Sequence, residues 1–67
     1  MNKESLLKKY PIGTKIKLIN MDDIQSPPKN TIGIIVGIDD LGQLLVKWEN
    51  GSSLNIIPNI DIFEIIK

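Results

Sequence analysis

Isoleucine dominates the apolar residues of this 67-residue chain, and this bias limits most strongly what the chain can fold into. Fourteen of its 28 apolar residues are Ile, and only three are aromatic. β-Branched side chains fit the pleated surface of a sheet better than they fit a helix. The sequence therefore predicts an all-β fold with a core of branched aliphatic side chains.

The size of the chain and its missing residue types narrow the possible functions. A chain this short buries only about 60% of its unfolded surface, which leaves room for a single domain over residues 1–67. The sequence contains no Cys and no His, so disulfides, thiolate or imidazole zinc sites, Cys nucleophiles and His general bases are excluded. We expect a protein that is not an enzyme and that carries no cofactor or metal.

Charge and hydropathy bear on partners and location. Eight Lys balance eight acidic residues, and the chain has no Arg, which argues against a binder of duplex nucleic acid. There is no apolar run of about 18 residues and no apolar signal-peptide core. These features predict a soluble, intracellular protein without membrane association.

A short helix is predicted over residues 2–9. Glu4 lies near its start, and Lys8 and Lys9 lie near its end, which suits the helix dipole. Two turns are not stable alone, so the helix must dock Leu6, Leu7 and Tyr10 on an apolar surface.

Five strands are predicted, over residues 14–21, 31–39, 43–49, 53–57 and 61–66. In the first strand Ile16 and Leu18 share one face, and in the third Leu44, Val46 and Trp48 do. The second strand is predicted to turn alternate residues inward, namely Ile32, Ile34, Val36 and Ile38. Its other face then carries Gly33, Ile35 and Gly37.

Turn signals separate the strands. Residues 22–30 form a long loop with two prolines, and residues 39–42 form a tight turn that ends at Gly42. Asn50-Gly51 predicts a type I′ hairpin turn, with positive φ at both residues. Residues 58–60 predict a single 3₁₀ turn.

This order of elements resembles the SH3-like small barrel. The long loop after the first strand, the two tighter hairpins and the 3₁₀ turn before the last strand are all in place over residues 14–66. The resemblance implies a five-stranded SH3-like barrel with a short N-terminal α-helix.

Several short motifs resemble a family of small proteins of unknown function carried by bacteria, plasmids and phages. The resemblance covers nearly the whole chain and implies a phage or mobile-element context, but no reaction. Its residues are Tyr10-Pro11-x-Gly13-Thr14, Met21-Asp22-Asp23, Gly33, Asp39-Asp40, Gly42-Gln43, Val46-Lys47-Trp48 and Asn50-Gly51-Ser52-Ser53-Leu54.

Polar residues in two loops are the candidates for ligand binding. Small hydroxyl and amide groups clustered near backbone N–H groups can hold a phosphate, a ribose or a carboxylate. Ordinary turn chemistry is the competing explanation. The predicted ligand-binding residues are Met21, Asp22, Asp23, Lys47, Asn50, Ser52, Ser53 and Asn55.

A second apolar face predicts a homodimer or a higher oligomer. Ile19 and Ile66 share this face, where a lone barrel would place polar residues. The competing explanation is that strand bends at the two glycines move such residues into the core. The predicted oligomer or partner face consists of Leu6, Leu7, Tyr10, Ile35, Leu45, Ile57 and Ile62.

Three functions remain open on sequence grounds. The first is a phage or mobile-element accessory protein that sequesters a small nucleotide-type ligand or a host defence signal. The second is a nucleic-acid-associated SH3-like barrel. The third is a docking module that inhibits or adapts a host protein.

Overall fold

The fold is an open antiparallel sheet covered by one short helix. The computed structural model describes residues 3–21, 23–24 and 26–66. Within these residues lie the helix α1 (Lys3–Lys9) and four strands, β1 (Lys15–Asn20), β2 (Ile32–Ile38), β3 (Leu44–Trp48) and β4 (Ile62–Ile65). The strand order is β3-β2-β1-β4, and every neighbouring pair is antiparallel. The prediction of a mostly β protein with an N-terminal helix is confirmed.

The predicted fifth strand over residues 53–57 is reduced to a single bridge. Leu44 and Ile56 exchange two backbone hydrogen bonds of 2.8 and 2.9 Å, and the described residues form no closed barrel. Local side chains take the backbone N–H groups just before this point. Asn50 Oδ1 accepts from Ser52 N–H, and Ser52 Oγ accepts from Leu54 N–H. Such local bonds compete with a strand ladder, which explains why the fifth strand does not form. The prediction of five strands in a barrel is therefore wrong.

The helix α1 covers one end of the sheet core, as predicted. Leu6 is 1% exposed and Tyr10 is 9% exposed, while Leu7 is half-buried. Tyr10 N–H donates to Leu6 O at 2.7 Å, and the helix ends before Pro11, which disfavours helical backbone at the preceding residue. The helix packs chiefly against β2. The core therefore lies between the helix and the inner face of the sheet.

The alternation predicted for β1 and β3 is confirmed. Ile16 and Leu18 are buried on β1, whereas Lys15 is exposed. On β3 the three residues predicted to face inward, Leu44, Val46 and Trp48, are all at most 3% exposed. These strands thus present one apolar face to the core, and their other face carries Lys15, Lys17 and Lys47.

The inward face predicted for β2 is wrong over most of its length. Ile34 and Val36 are 42% and 50% exposed, whereas Gly33 and Ile35 are buried. Of the residues predicted to face inward, Ile38 is buried and Ile32 is half-buried. Ile35 lies in the core, which agrees with the competing explanation for this residue.

Two local features explain the faces of β2. A Cβ atom on Gly33 would lie 2.5 Å from Val46 Cγ1 and 2.7 Å from Trp48 Cε3, so these side chains pack directly on the glycine backbone. The register then shifts between Ile35 and Gly37, which is the mark of a β-bulge. The bulge restores an inward orientation at Ile38.

The turn after β3 differs from the predicted type I′ hairpin. Gly51 has φ of 86°, but Asn50 is not among the residues with positive φ. Gly51 N–H donates to Trp48 O at 3.0 Å, and Trp48 N–H donates to Ser52 O at 3.3 Å. This is a three-residue loop that ends in a glycine bulge, because only its last position requires a left-handed backbone.

The predicted turn before β4 is present, and it combines a 3₁₀-type hydrogen bond with an α-type one. Ile60 N–H and Asp61 N–H both donate to Ile57 O, at 3.0 and 2.9 Å. One i to i+3 bond followed by one i to i+4 bond closes a single turn over residues 58–60. The turn returns the chain to β1, beside which β4 pairs.

The contact of Gly33 with Trp48 predicts a large effect of a single methyl group. We expect Gly33→Ala to lower the free energy of unfolding by about 1–3 kcal/mol, because the added carbon overlaps two packed side chains. Gly37→Ala is the matched control in the same strand, since its added carbon would meet only the Leu45 Cδ1 atom at 3.3 Å. Urea unfolding of both variants measures the difference. Equal stability of the two variants would contradict the close packing of Val46 and Trp48 on Gly33.

Candidate functional site

The polar run from Asn50 to Ser53 serves the hairpin itself. Asn50 Oδ1 accepts from Ser52 N–H at 3.1 Å, and Ser52 Oγ accepts from Leu54 N–H at 3.3 Å. The Trp48 indole N–H then donates to Leu54 O at 2.8 Å. These bonds fix the path of residues 50–54, so turn chemistry accounts for Asn50 and Ser52. Ser53 is exposed beside them.

A groove beside the loop after β1 gathers three of the predicted ligand-binding residues. Met21, Asp23 and Asn55 line it, whereas Asp22 lies outside the described residues. Its volume is about 280 Å³, near the lower end of the range for small-molecule sites. We call it the loop groove and define it by Met21, Asp23, Gln43, Asn55, Ile57 and Asp61.

Two amides and two carboxylates give the loop groove its chemistry. Asn55 Nδ2 donates a long hydrogen bond of 3.4 Å to Gln43 Oε1. Asp61 Oδ2 accepts from Ile57 N–H at 2.8 Å, which holds this carboxylate at the groove. Among the described residues, the Asn55 Oδ1 atom and the Gln43 Nε2 atom have no hydrogen bond to protein. The groove thus offers both donors and acceptors, and no Lys is among its lining residues.

Lys47 lies on the outer face of the sheet, away from the loop groove. The strand register places Lys15 opposite Ile34 and Ile34 opposite Lys47, so the two lysines flank an isoleucine. These residues line a separate groove of about 330 Å³. The predicted ligand-binding residues are therefore divided among the hairpin, the loop groove and the outer face.

The paired carboxylates at residues 39–40 belong to a turn. Asp39 Oδ1 accepts from Leu41 N–H at 2.9 Å and from Gln43 N–H at 2.8 Å. Asp40 lies 3.6 Å from Lys3 Nζ in an exposed ion pair. In the described part of the chain, no three acidic residues cluster so as to hold a metal ion.

The predicted oligomer face is split between the core and the surface. Leu6 and Ile35 lie in the core, so they are closed to a partner, whereas Tyr10 is 9% exposed and lines a surface groove. Leu7 and Leu45 are half-buried. Ile57 and Ile62 are 38% and 55% exposed, so these two can meet a partner directly.

A groove lined by both apolar and polar residues, with Asn59 and Asp61 among them, lies along β4. It has a volume of about 390 Å³, and we define this edge groove by Lys9, Tyr10, Ile60, Ile62, Phe63 and Ile65. The Tyr10 and Phe63 rings are tilted by 55° at a centroid distance of 5.4 Å, which fixes the wall on the helix side. Ile60 and Ile65 are 68% and 44% exposed.

The lining residues of the two grooves could be predicted only in part from the sequence. Gln43 was no candidate, because its proximity to Asn55 depends on the bridge between Leu44 and Ile56. Ile60 and Ile65 gave no signal beyond a general excess of isoleucine. These two residues become candidates only when the sheet order shows that β4 is an edge strand.

A comparison with known protein families identifies the family to which the chain belongs. A family model described as a domain of unknown function, DUF4314, matches residues 2–66. The chain belongs to the DUF4314 family. This finding confirms the predicted membership of a family of unknown function. No curated protein and no solved structure matches the chain.

Membrane insertion through a helix finds no support in the fold of this DUF4314 protein. Within the described residues, α1 is far too short to cross a bilayer, and no helix is both long and apolar enough to do so.

The two aspartates at residues 39–40 predict a clear difference in stability. We expect Asp39→Ala to lower the free energy of unfolding by about 1–3 kcal/mol, because two backbone N–H groups lose their acceptor. We expect Asp40→Ala to leave stability close to that of the parent, since an exposed ion pair contributes little. Thermal unfolding of both variants checks this. A larger loss for Asp40→Ala would contradict the assignment of Asp39 to the turn.

Proposed function

We propose that this DUF4314 protein is a non-enzymatic accessory protein that binds a small ligand of the nucleoside or nucleotide type in the loop groove. The observation that carries the proposal is the convergence of Gln43, Asn55 and two carboxylates in one concave site. The amides there have hydrogen-bonding atoms with no protein partner among the described residues. A ligand with paired donors and acceptors would satisfy them.

The polar groups of the loop groove match a base and a sugar better than a phosphate. Amide side chains can make two hydrogen bonds to the edge of a base, as they do in nucleic-acid recognition. A carboxylate can accept from a ribose hydroxyl, as in dinucleotide-binding sites. Asp23 and Asp61 would repel a phosphate, and Lys47, the lysine among the predicted ligand-binding residues, lines another groove. We therefore propose that any phosphate of the ligand points into solvent.

The strand order supports a proposed kinship with SH3-like small barrels. The last strand lies beside the first, and Ile56 bridges the outer edge of β3. The order of segments is thus the one expected for such a barrel, although the sheet is open. Small β folds of this class commonly bind through their loops, where the loop groove lies.

The biological setting of the proposal comes from the resemblance to proteins of bacteria, plasmids and phages. In the cytoplasm of a bacterial host, a binding protein without catalysis would act by lowering the free concentration of its ligand. We propose sequestration of a nucleotide-derived host defence signal as that role.

The two other functions receive different support. Two lysines, Lys15 and Lys47, flank the outer groove, and Trp48 is 2% exposed, so the described part of this groove offers little positive charge and no exposed indole for nucleic acid. Docking of a host protein is the second candidate. The exposed isoleucines of the edge groove favour it.

Isothermal titration with substitutions at the groove tests the ligand proposal. The probes are the common nucleosides, their 5′-monophosphates and cyclic mono- and dinucleotides. We expect at least one base to bind with similar affinity as nucleoside and as nucleotide. Asn55→Ala and Gln43→Ala should each weaken that binding by about tenfold, the effect of losing a hydrogen bond.

Ser53→Ala is the matched control, because Ser53 is exposed and lies outside the loop groove. We expect this variant to bind like the parent. Absence of heat with every probe would refute the proposal. Loss of binding in Ser53→Ala, with full binding in Asn55→Ala, would place the site in the hairpin instead. Circular dichroism of each variant confirms that it is folded.

A further inference from the structure

The outer edge of β4 carries backbone groups that nothing in the described chain pairs. β4 is the last strand in the sheet order, with β1 on its inner side. Ile66 N–H donates to Lys15 O at 2.9 Å, and Glu64 lies opposite Lys17 in the same ladder. Alternate residues of an antiparallel strand direct their N–H and C=O groups to opposite sides. Phe63 and Ile65 therefore direct theirs away from β1.

The side chains along this edge do not protect it. Natural edge strands commonly carry Lys, Pro or inward-pointing charges that prevent pairing with another chain. β4 has the sequence Ile-Phe-Glu-Ile, and its one charged residue, Glu64, already lies 3.4 Å from Lys17 Nζ. Ile62 and Ile65 are 55% and 44% exposed beside the edge groove. The edge thus has the properties of a strand-pairing surface.

We propose that β4 pairs antiparallel with β4 of a second copy of this chain, about a two-fold axis that passes through Glu64. This register sets Phe63 of each copy opposite Ile65 of the other. The outward N–H and C=O groups of both residues then find partners, which makes four hydrogen bonds across the axis. The occupant is a second copy because the pairing is self-complementary, as a two-fold interface must be.

The neighbouring register is less favourable. Setting Phe63 opposite its own copy would place Ile65 opposite Asp61. The Asp61 N–H group already donates to Ile57 O at 2.9 Å, so it is not free for a ladder. That register would also set a carboxylate against an aliphatic side chain. Of these two registers, the one with the two-fold axis at Glu64 is therefore preferred.

The proposed register combines one unfavourable charge contact with favourable apolar contacts. The two Glu64 side chains face each other, and like charges directly opposite are destabilising on their own. Each has its own Lys17, so the row across the axis runs Lys17, Glu64, Glu64, Lys17 and is neutral. On the opposite face, Ile65 of one copy enters the edge groove of the other, beside Tyr10 and Phe63. Contact there covers isoleucine surface that is exposed in the single chain.

A single introduced cysteine tests the register. Because the chain contains no Cys, Glu64→Cys supplies one thiol per copy. Opposed residues of this kind have Cα atoms about 4.5 Å apart, which is within the range for a disulfide. We expect the oxidised variant to run as a covalent dimer on non-reducing gels. Val36→Cys is the matched control, an exposed residue on β2 away from this edge, and we expect it to stay monomeric on the same gels.

Light scattering of the parent and of two lysine variants tests the surface. We expect a dimeric parent. Ile65→Lys should raise the dimer dissociation constant by about 100-fold or more, because each dimer carries the substitution twice. Val36→Lys should remain dimeric. Circular dichroism shows that each variant is folded.

Three results would overturn the proposal. They are a monomeric parent at high protein concentration, a dimer that Glu64→Cys does not cross-link, and a dimer that Ile65→Lys leaves intact. A parent that is monomeric alone but binds a foreign strand at this edge would overturn the choice of a second copy.

Discussion

The packing of Trp48 on the bare backbone of Gly33 is the contact on which the rest of the fold depends. It sets the inner face of β2 at the start of the strand and brings Ile35 into the core. The indole N–H then holds Leu54 O and so fixes the chain after the hairpin. From there Ile56 reaches β3 and Asn55 reaches Gln43. One aromatic ring therefore connects the core to the loop groove.

Much of the fold follows from local sequence patterns. The charges and leucines of residues 3–9 specify a helix that docks Leu6, and the alternation in β1 and β3 identifies their buried faces. The faces of β2 could not be predicted in the same way. Every residue of that strand is Ile, Val or Gly, so hydrophobicity does not distinguish the two sides. Only the partner strand, through Trp48, and the bulge at Val36 decide between them.

The candidate site was predictable only in part, because residues of the same type can either stabilise a turn or line a groove. Asn50 and Asn55 are both predicted ligand-binding residues, yet Asn50 closes a turn, whereas Asn55 lines a groove. The difference depends on a single bridge between Leu44 and Ile56, which no periodicity reveals. The edge of β4 depends in the same way on where the sheet stops. Strand order, unlike strand identity, is not encoded in short patterns.

The bridge at Ile56 also divides the molecule by local stability. Residues 52–57 are joined to β3 and its hairpin by few hydrogen bonds, whereas β1 and β2 are paired on both sides. A segment with few bonds opens at a lower free energy than the core strands, so its amide hydrogens exchange with solvent sooner. This segment forms one wall of the loop groove. A ligand that contacts both Asn55 and Gln43 would suppress this local opening. Its binding would then be seen as slower amide hydrogen exchange in residues 52–57.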